Sequence, residues 1–174
     1  MPSMILLPNG QNNVSSDWTP LPAPNTVNGA LQSDDGDTSY VSCDDSLAYM
    51  VIEFADPTVA EADIDTIDSV RFLSSGRSLD RTVATRVAID FEVPSGNPSE
   101  NTNYAATRSA FTTINGTARA TKDGTHDWDY AALESLEMKC TKIQAEEVYL
   151  SYLALEVTYT EAAADNATFF GANF

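Results

Sequence analysis

The chain has 174 residues, 43% of them hydrophobic, and a formal net charge of −17. That length and composition fit one folded domain with a substantial core. No run approaches the roughly 18 apolar residues a membrane helix needs, and so negative a surface repels nucleic-acid phosphates. Every Lys and Arg lies between Arg71 and Lys142, a segment whose own acids balance them. The first 70 residues carry twelve acids and no base, and residues 143–174 carry five and no base. The excess therefore sits in the two ends, either as a solvated surface or as a docking surface for a basic partner. The opening MPSMILLPNGQNN has neither a basic region nor a long apolar run. It does not read as a secretory signal, and a chain made in the cytoplasm and used there, or released by lysis, is expected.

In chain order, residues 1–38 read as an extended Pro-rich, acidic segment. Pro2, Pro8, Pro20, Pro22 and Pro24 space it, and Ile5, Leu6, Leu7 and Trp18 are its large apolar anchors. Such a segment is expected to lie across a domain rather than to make its own core. A β-domain is expected over 39–160. Tyr40–Cys43 is a short strand. Leu47–Phe54 is apolar on both rows, which predicts a central strand. Val59–Asp68 reads as an acidic loop with at most one helical turn. Ile67–Ser74 is a strand, and Ser75-Gly76-Arg77 turns the chain. In Val83–Val93, Val83, Thr85, Val87, Ile89, Phe91 and Val93 point one way, and Arg86, Asp90 and Glu92 point the other. That is a strand with one buried and one wet face.

Pro94–Thr102 is a loop on composition. Tyr104–Arg108 reads as a short strand, and Phe111–Ala120 as a strand bent at Gly116. Asp127 is placed to cap a short helix with Trp128, Ala132 and Leu136 on its inner face. Leu136, Met138 and Cys140 continue as a strand. The last strand, Tyr149–Tyr159, shows an apolar row of Tyr149, Leu153, Leu155, Val157 and Tyr159, and its composition makes an exposed edge position unfavourable. After it, 161–174 is a small-residue arm ending in Phe169, Phe170 and Phe174. Seven or eight strands with turns about every ten residues and one short helix predict an all-β fold. It is an antiparallel β-sandwich of the jelly-roll type with extended terminal segments.

Chemistry is sparse. His126 is the sole histidine, with Asp123, Asp127 and Asp129 nearby, but no GxSxG elbow accompanies it, so it reads as a turn residue beside a helix cap. Asp34-Asp35-Gly36-Asp37 lacks EF-hand spacing. Asp90 and Glu92 sit on the wet face of a regular strand and do not single themselves out as a glycosidase pair. Asn13, Asn115 and Asn166 head chance matches to the glycosylation pattern. Cys43 and Cys140 have no CxxC or His neighbour, which predicts two free buried thiols. A non-enzyme is expected, with no catalytic residue, no cofactor and no metal. The candidate partner-binding residues are the apolar anchors of the two ends: Ile5, Leu6 and Leu7, and Phe169, Phe170 and Phe174.

Two stretches carry a resemblance. One is Asp17-Trp18-Thr19-Pro20 with Asp34–Asp37 and Thr38-Ser39-Tyr40-Val41. The other is Asp123-Gly124-Thr125, the Trp128 helix with Leu133 and Leu136, and Tyr149…Leu155-Glu156-Val157-Thr158-Tyr159. Together they cover about half the chain, and they resemble small tailed-bacteriophage virion structural proteins. That resemblance implies a non-enzymatic capsid decoration (cement) protein on the outside of a phage head, bridging major capsid protein subunits, with a homo-oligomer, a trimer for instance, matching the capsid's threefold points. A minor tail or baseplate component is the alternative within the same class. A carbohydrate-binding β-sandwich module is the alternative from another class. A sugar site should show solvent-facing Trp or Tyr, whereas Trp18 and Trp128 read as packing anchors.

Overall fold

The computed structural model describes residues 1–15, 17–23, 25–78, 85–92, 99–104, 110–143 and 146–163, with the backbone alone at 85 and 99–104. Eleven strands are found among the described residues: β1 (Ser3–Leu6), β2 (Pro8–Val14), β3 (Thr19–Leu21), β4 (Tyr40–Cys43), β5 (Tyr49–Phe54), β6 (Ile64–Ser78), β7 (Thr85–Glu92), β8 (Ser99–Tyr104), β9 (Thr112–Asn115), β10 (Glu137–Lys142) and β11 (Val148–Glu161). Between them lie α1 (Val27–Ala30), α2 (Tyr130–Glu134) and one 3-10 turn (Glu61–Asp63).

One sheet runs β3-β4-β11-β6-β9, with β1 also beside β11; the other runs β2-β5-β10-β7-β8. The pairings are antiparallel in both. The chain changes sheet from β4 to β5, from β5 to β6 and from β6 to β7. That is the antiparallel, jelly-roll-type sandwich expected from the alternating rows. Met50, Ile52, Val87, Ile89, Phe91 and Met138 of the five-stranded sheet share one core with Val41, Val70, Phe72, Leu153, Leu155 and Val157 of the six-stranded one. Phe72 meets Phe91 across the sandwich at 6.4 Å between ring centroids, and Trp128 sets its edge on Phe91 at 6.4 Å. Gly116 follows β9 because of this ring: a Cβ there would lie 2.4 Å from a Phe72 ring carbon.

β7 has the expected form, with Val87, Ile89 and Phe91 fully buried and Arg86, Asp90 and Glu92 half-exposed. Val83 and Val93 lie outside the described residues. β11 is an inner strand, flanked by β6 on one side and by β4 and β1 on the other. Val59–Asp68, expected as a loop with at most one helical turn, holds the 3-10 turn but is not all loop, since β6 begins at Ile64.

Five further readings are corrected. Residues 3–14 do not simply lie across the sandwich: β1 pairs with β11 and β2 with β5, because Met4 and Leu6 alternate inward. Ser75-Gly76-Arg77 is not a turn but lies in β6 near its C-terminal end, all three paired with β11 and Ser75 and Gly76 also with β9; these ladder bonds override the turn propensity of the residues. Pro94–Thr102 is not all loop, since β8 begins at Ser99. The cap of α2 is Asp129, not Asp127, and the inner face is Ala132 and Leu133. In β11 the buried row changes phase. Val148 and Leu150 point inward at one end, and Leu153, Leu155, Val157 and Tyr159 at the other. A register shift between Leu150 and Tyr152 inserts Ser151 and turns the strand over.

Candidate functional site

Strand alternation sends Tyr49, Val51 and Glu53 of β5 and Glu137, Lys139 and Thr141 of β10 to the outer face of the five-stranded sheet. Two adjoining clefts of about 340 Å³ each cross this face. The first is lined by Asn12 and Asn13 of β2, Tyr49 and Val51 of β5, Glu92 of β7, and Glu137 and Lys139 of β10. The second is lined by Asn9, Glu53, Phe54, Asp56 and the stretch Glu134–Glu137. Glu137 lines both, and the two adjoining clefts together are called the trough.

The edge strand β2 supplies the trough's amides. Its register against β5 slips between Pro8 and Gly10 and again between Gln11 and Asn13. Each slip leaves one asparagine, Asn9 or Asn12, without a cross-strand partner residue. A bulge of this kind bends a strand and re-aims its side chains. Here Asn9, Asn12 and Asn13 all line the trough. Asn12 Nδ2 donates to Glu137 Oε1 at 2.8 Å, and Asn13 Nδ2 donates to the Tyr49 hydroxyl at 2.9 Å. Lys139 Nζ stands 5.1 Å from the Tyr49 ring centroid. Among the described residues the Asn12 and Asn13 amide oxygens accept no hydrogen bond. The trough therefore offers amide and carboxylate acceptors, one ammonium donor and one aromatic ring on a wet sheet face, a set suited to a ligand rich in hydroxyl groups.

A further cleft of about 360 Å³ lies where β6 begins, lined by Glu61, Ile64, Asp65, Ile67, Trp128 and Tyr130 among others. Two of its polar side chains, Tyr130 and Asp129, are engaged by the fold itself. The Tyr130 hydroxyl donates to the Val59 carbonyl at 3.0 Å. Asp129 pairs with Lys122 and accepts from the Ala132 N–H at 2.7 Å, capping α2. The Lys122 ammonium holds the Asp129 carboxyl below the usual range. The trough, with amide oxygens to spare, is the better candidate.

The residues singled out by sequence fall elsewhere. Leu6 is buried in its own core, so it is not a free anchor, while Ile5 and Leu7 are 40% and 37% exposed. Phe169, Phe170 and Phe174 lie outside the described residues. His126 is exposed, and its Nδ1 shares a 2.6 Å hydrogen bond with Asp123 Oδ2, whose other oxygen accepts from the Thr125 and His126 N–H groups. This is a closed turn. Asp35 accepts from Ser39, and Asp37 pairs with Arg77 at 2.6 Å. Among the described residues no group of three His, Cys, Asp or Glu is placed to hold a metal ion. Cys43 and Cys140 are free and buried. Trp18 and Trp128 are 3% and 5% exposed, both in the core. Sequence reasoning missed β2. Its signal was the polar run Asn9–Asn13 between the apolar Leu7 and Val14, unsuited to a regular strand.

No protein-family model matches the chain, and no curated protein does. Among solved structures the chain is similar to the C-terminal CBM6 of LamC, a marine laminarinase from Zobellia galactanivorans, with 9% identity over 90% of this chain and 99% of that one and a TM-score of 0.52. A CBM61 in complex with beta-1,4-galactotriose matches at 8% identity over 88% and 87% of the two chains, TM-score 0.46. The CBM22-1 xylan-binding domain from Paenibacillus barcinonensis Xyn10C matches at 11% over 87% and 91%, TM-score 0.40. The likeness to the CBM6 is one of fold: a jelly-roll β-sandwich of the same extent.

Proposed function

We propose that the chain is a non-catalytic carbohydrate-binding module that holds a glycan in the trough on the outer face of its five-stranded sheet. The observation that carries this reading is the doubly bulged β2, which turns Asn9, Asn12 and Asn13 into one trough beside Tyr49. The fold it shares with a laminarinase's CBM6 supports it. With Trp18 and Trp128 in the core, recognition works through hydrogen bonds and the Tyr49 ring rather than through a tryptophan platform. Each such bond replaces one to water, so each contributes about 1 kcal/mol.

Calorimetric titration of the full chain with a panel of soluble linear oligosaccharides tests the reading. Binding to at least one is expected. Joint Asn12→Ala and Asn13→Ala substitution should weaken it about tenfold or more without changing the unfolding temperature. A chain that binds none of the panel, or a double variant that binds like the parent, refutes the reading.

The capsid decoration reading keeps one observation of its own. Ile5 and Leu7 flank the buried Leu6 as exposed aliphatic residues at the acidic N-terminal end. On that reading the protein co-sediments with phage heads and loses occupancy on Ile5→Ser and Leu7→Ser substitution. Glycan binding by the isolated monomer with no affinity for capsids decides for the first reading.

A further inference from the structure

Three glutamates stand side by side across the trough. Register sets Glu53 of β5 opposite Glu137 of β10, and Glu137 opposite Glu92 of β7. All three are half-exposed on the outer face. Like charges directly opposite on neighbouring strands destabilise a sheet. The second cleft adds Asp56 and Glu134, and among the described residues Lys139 is the one cation lining either cleft. A separate observation concerns Gly10. A Cβ at that position would stand 2.2 Å from Glu53 Oε2 and 3.3 Å from its Cδ. The bulged edge strand thus leaves out a side chain where the Glu53 carboxylate lies, and the carboxylate packs against β2 at Gly10.

We infer that the trough selects a glycan bearing free amino groups, a positively charged amino-sugar polymer, over neutral and anionic chains of the same linkage. This rests on the glycan reading above. An ammonium on a sugar makes charge-assisted hydrogen bonds to carboxylates, stronger than those of a neutral acetamide, and the Asn12 and Asn13 amide oxygens accept from it as well. A uronate or sulfate in the same place meets the glutamate row. Along β5 the trough runs from Tyr49 to Phe54, roughly 17 Å at the rise of a strand. That length holds several sugars, so more than one amino group meets a carboxylate at once.

The test is calorimetric titration of the full chain, at mildly acidic pH, with three β-1,4-linked hexasaccharides: glucosamine, N-acetylglucosamine and a uronic acid. The glucosamine chain is expected to bind at least tenfold more tightly than its acetylated counterpart, and the uronate not to bind. The advantage should shrink as salt rises. Joint Glu53→Gln and Glu137→Gln substitution should bring the amino-to-acetyl affinity ratio close to one. Both affinities are read on the same variant, so a general loss of fold does not imitate the effect. Equal affinity of the parent for the amino and acetylated chains overturns the inference and leaves the glycan reading standing. An unchanged ratio in the double variant overturns the role given to the glutamates. Binding of none of the three overturns the inference; the reading it rests on falls only when the wider panel also goes unbound.

Discussion

Among the described residues, Leu47 is the one non-glycine residue with a positive φ. It is a leucine at φ 68°, in the left-handed region where a Cβ crowds the following carbonyl at a cost of roughly 1–2 kcal/mol. Its side chain is 71% exposed, so packing does little to offset the strain. The N–H explains the conformation: it donates to the Lys142 carbonyl at 2.8 Å and ties the β4–β5 connection to the end of β10. Glycine there removes the crowding, partly offset by its greater freedom in the unfolded chain. Leu47→Gly is therefore expected to raise Tm by roughly 2 °C, and Leu47→Val to lower it, as scanning calorimetry would record. A fall in both variants would mean that the leucine side chain has a contact role the exposure does not suggest. In the sequence Leu47 looks like the first residue of an apolar strand; only the closing hydrogen bond to β10, a long-range contact, makes it a turn.

At the scale of elements, pattern spoke to existence more reliably than to phase. β7 could be read face by face because its alternation is unbroken and one side is wet. β11 was legible as a strand and as an inner one, but its buried face was assigned as a single row. Both rows of Val148–Tyr159 are apolar enough that no periodicity marks the switch at Ser151. The switch lies opposite the Gly76–Ser75 step of β6, the same residues whose composition suggests a turn. Two local signals thus misled for one reason: they are the two sides of a bulge, and a bulge depends on a pairing that local sequence does not display. The trough was hidden in the same way, since its amides sit on the two bulges of β2. Deleting Ser151 tests this account. With Leu153–Tyr159 held in place, Leu150 then directly precedes Tyr152 opposite Gly76 and Ser75, so Val148 and Leu150 stay inward and the alternation becomes regular. Denaturant unfolding should record only a small loss, well below the roughly 1.5–3 kcal/mol for each inward side chain that a one-residue deletion in a regular stretch of β11 would turn outward. Ser151→Ala keeps the bulge and removes a buried hydroxyl that has no partner among the described residues, so it should be neutral or slightly stabilising. A loss of several kcal/mol on deleting Ser151 would refute the bulge as the cause.

For the molecule as a whole, the question is whether the two sheets behave as one unit. Each carries a buried thiol, Cys43 on β4 in the six-stranded sheet and Cys140 on β10 in the five-stranded one. Burial pushes the Cys43 thiol up to about 11, against a bond to the Asp45 carbonyl and the nearby Lys142 charge, which pull it down. Burial raises Cys140 too, with Asp90 adding to the effect. Both groups are protonated at mildly alkaline pH, and both are shielded, so neither should react with a disulfide reagent in the native state. They become reactive when the structure around them opens. The core runs without a break from Phe72 in one sheet to Phe91 in the other and on to Trp128. Separating the sheets exposes both inner faces at once, so partial opening gains little chain entropy for a large loss of burial. Cys43 and Cys140 are therefore expected to label together, at one rate and with one denaturant dependence matching that of global unfolding, when followed by mass spectrometry of the two cysteine peptides. Labelling of Cys43 at low denaturant with Cys140 still protected would instead show that the sheet holding the chain's two acidic ends opens alone.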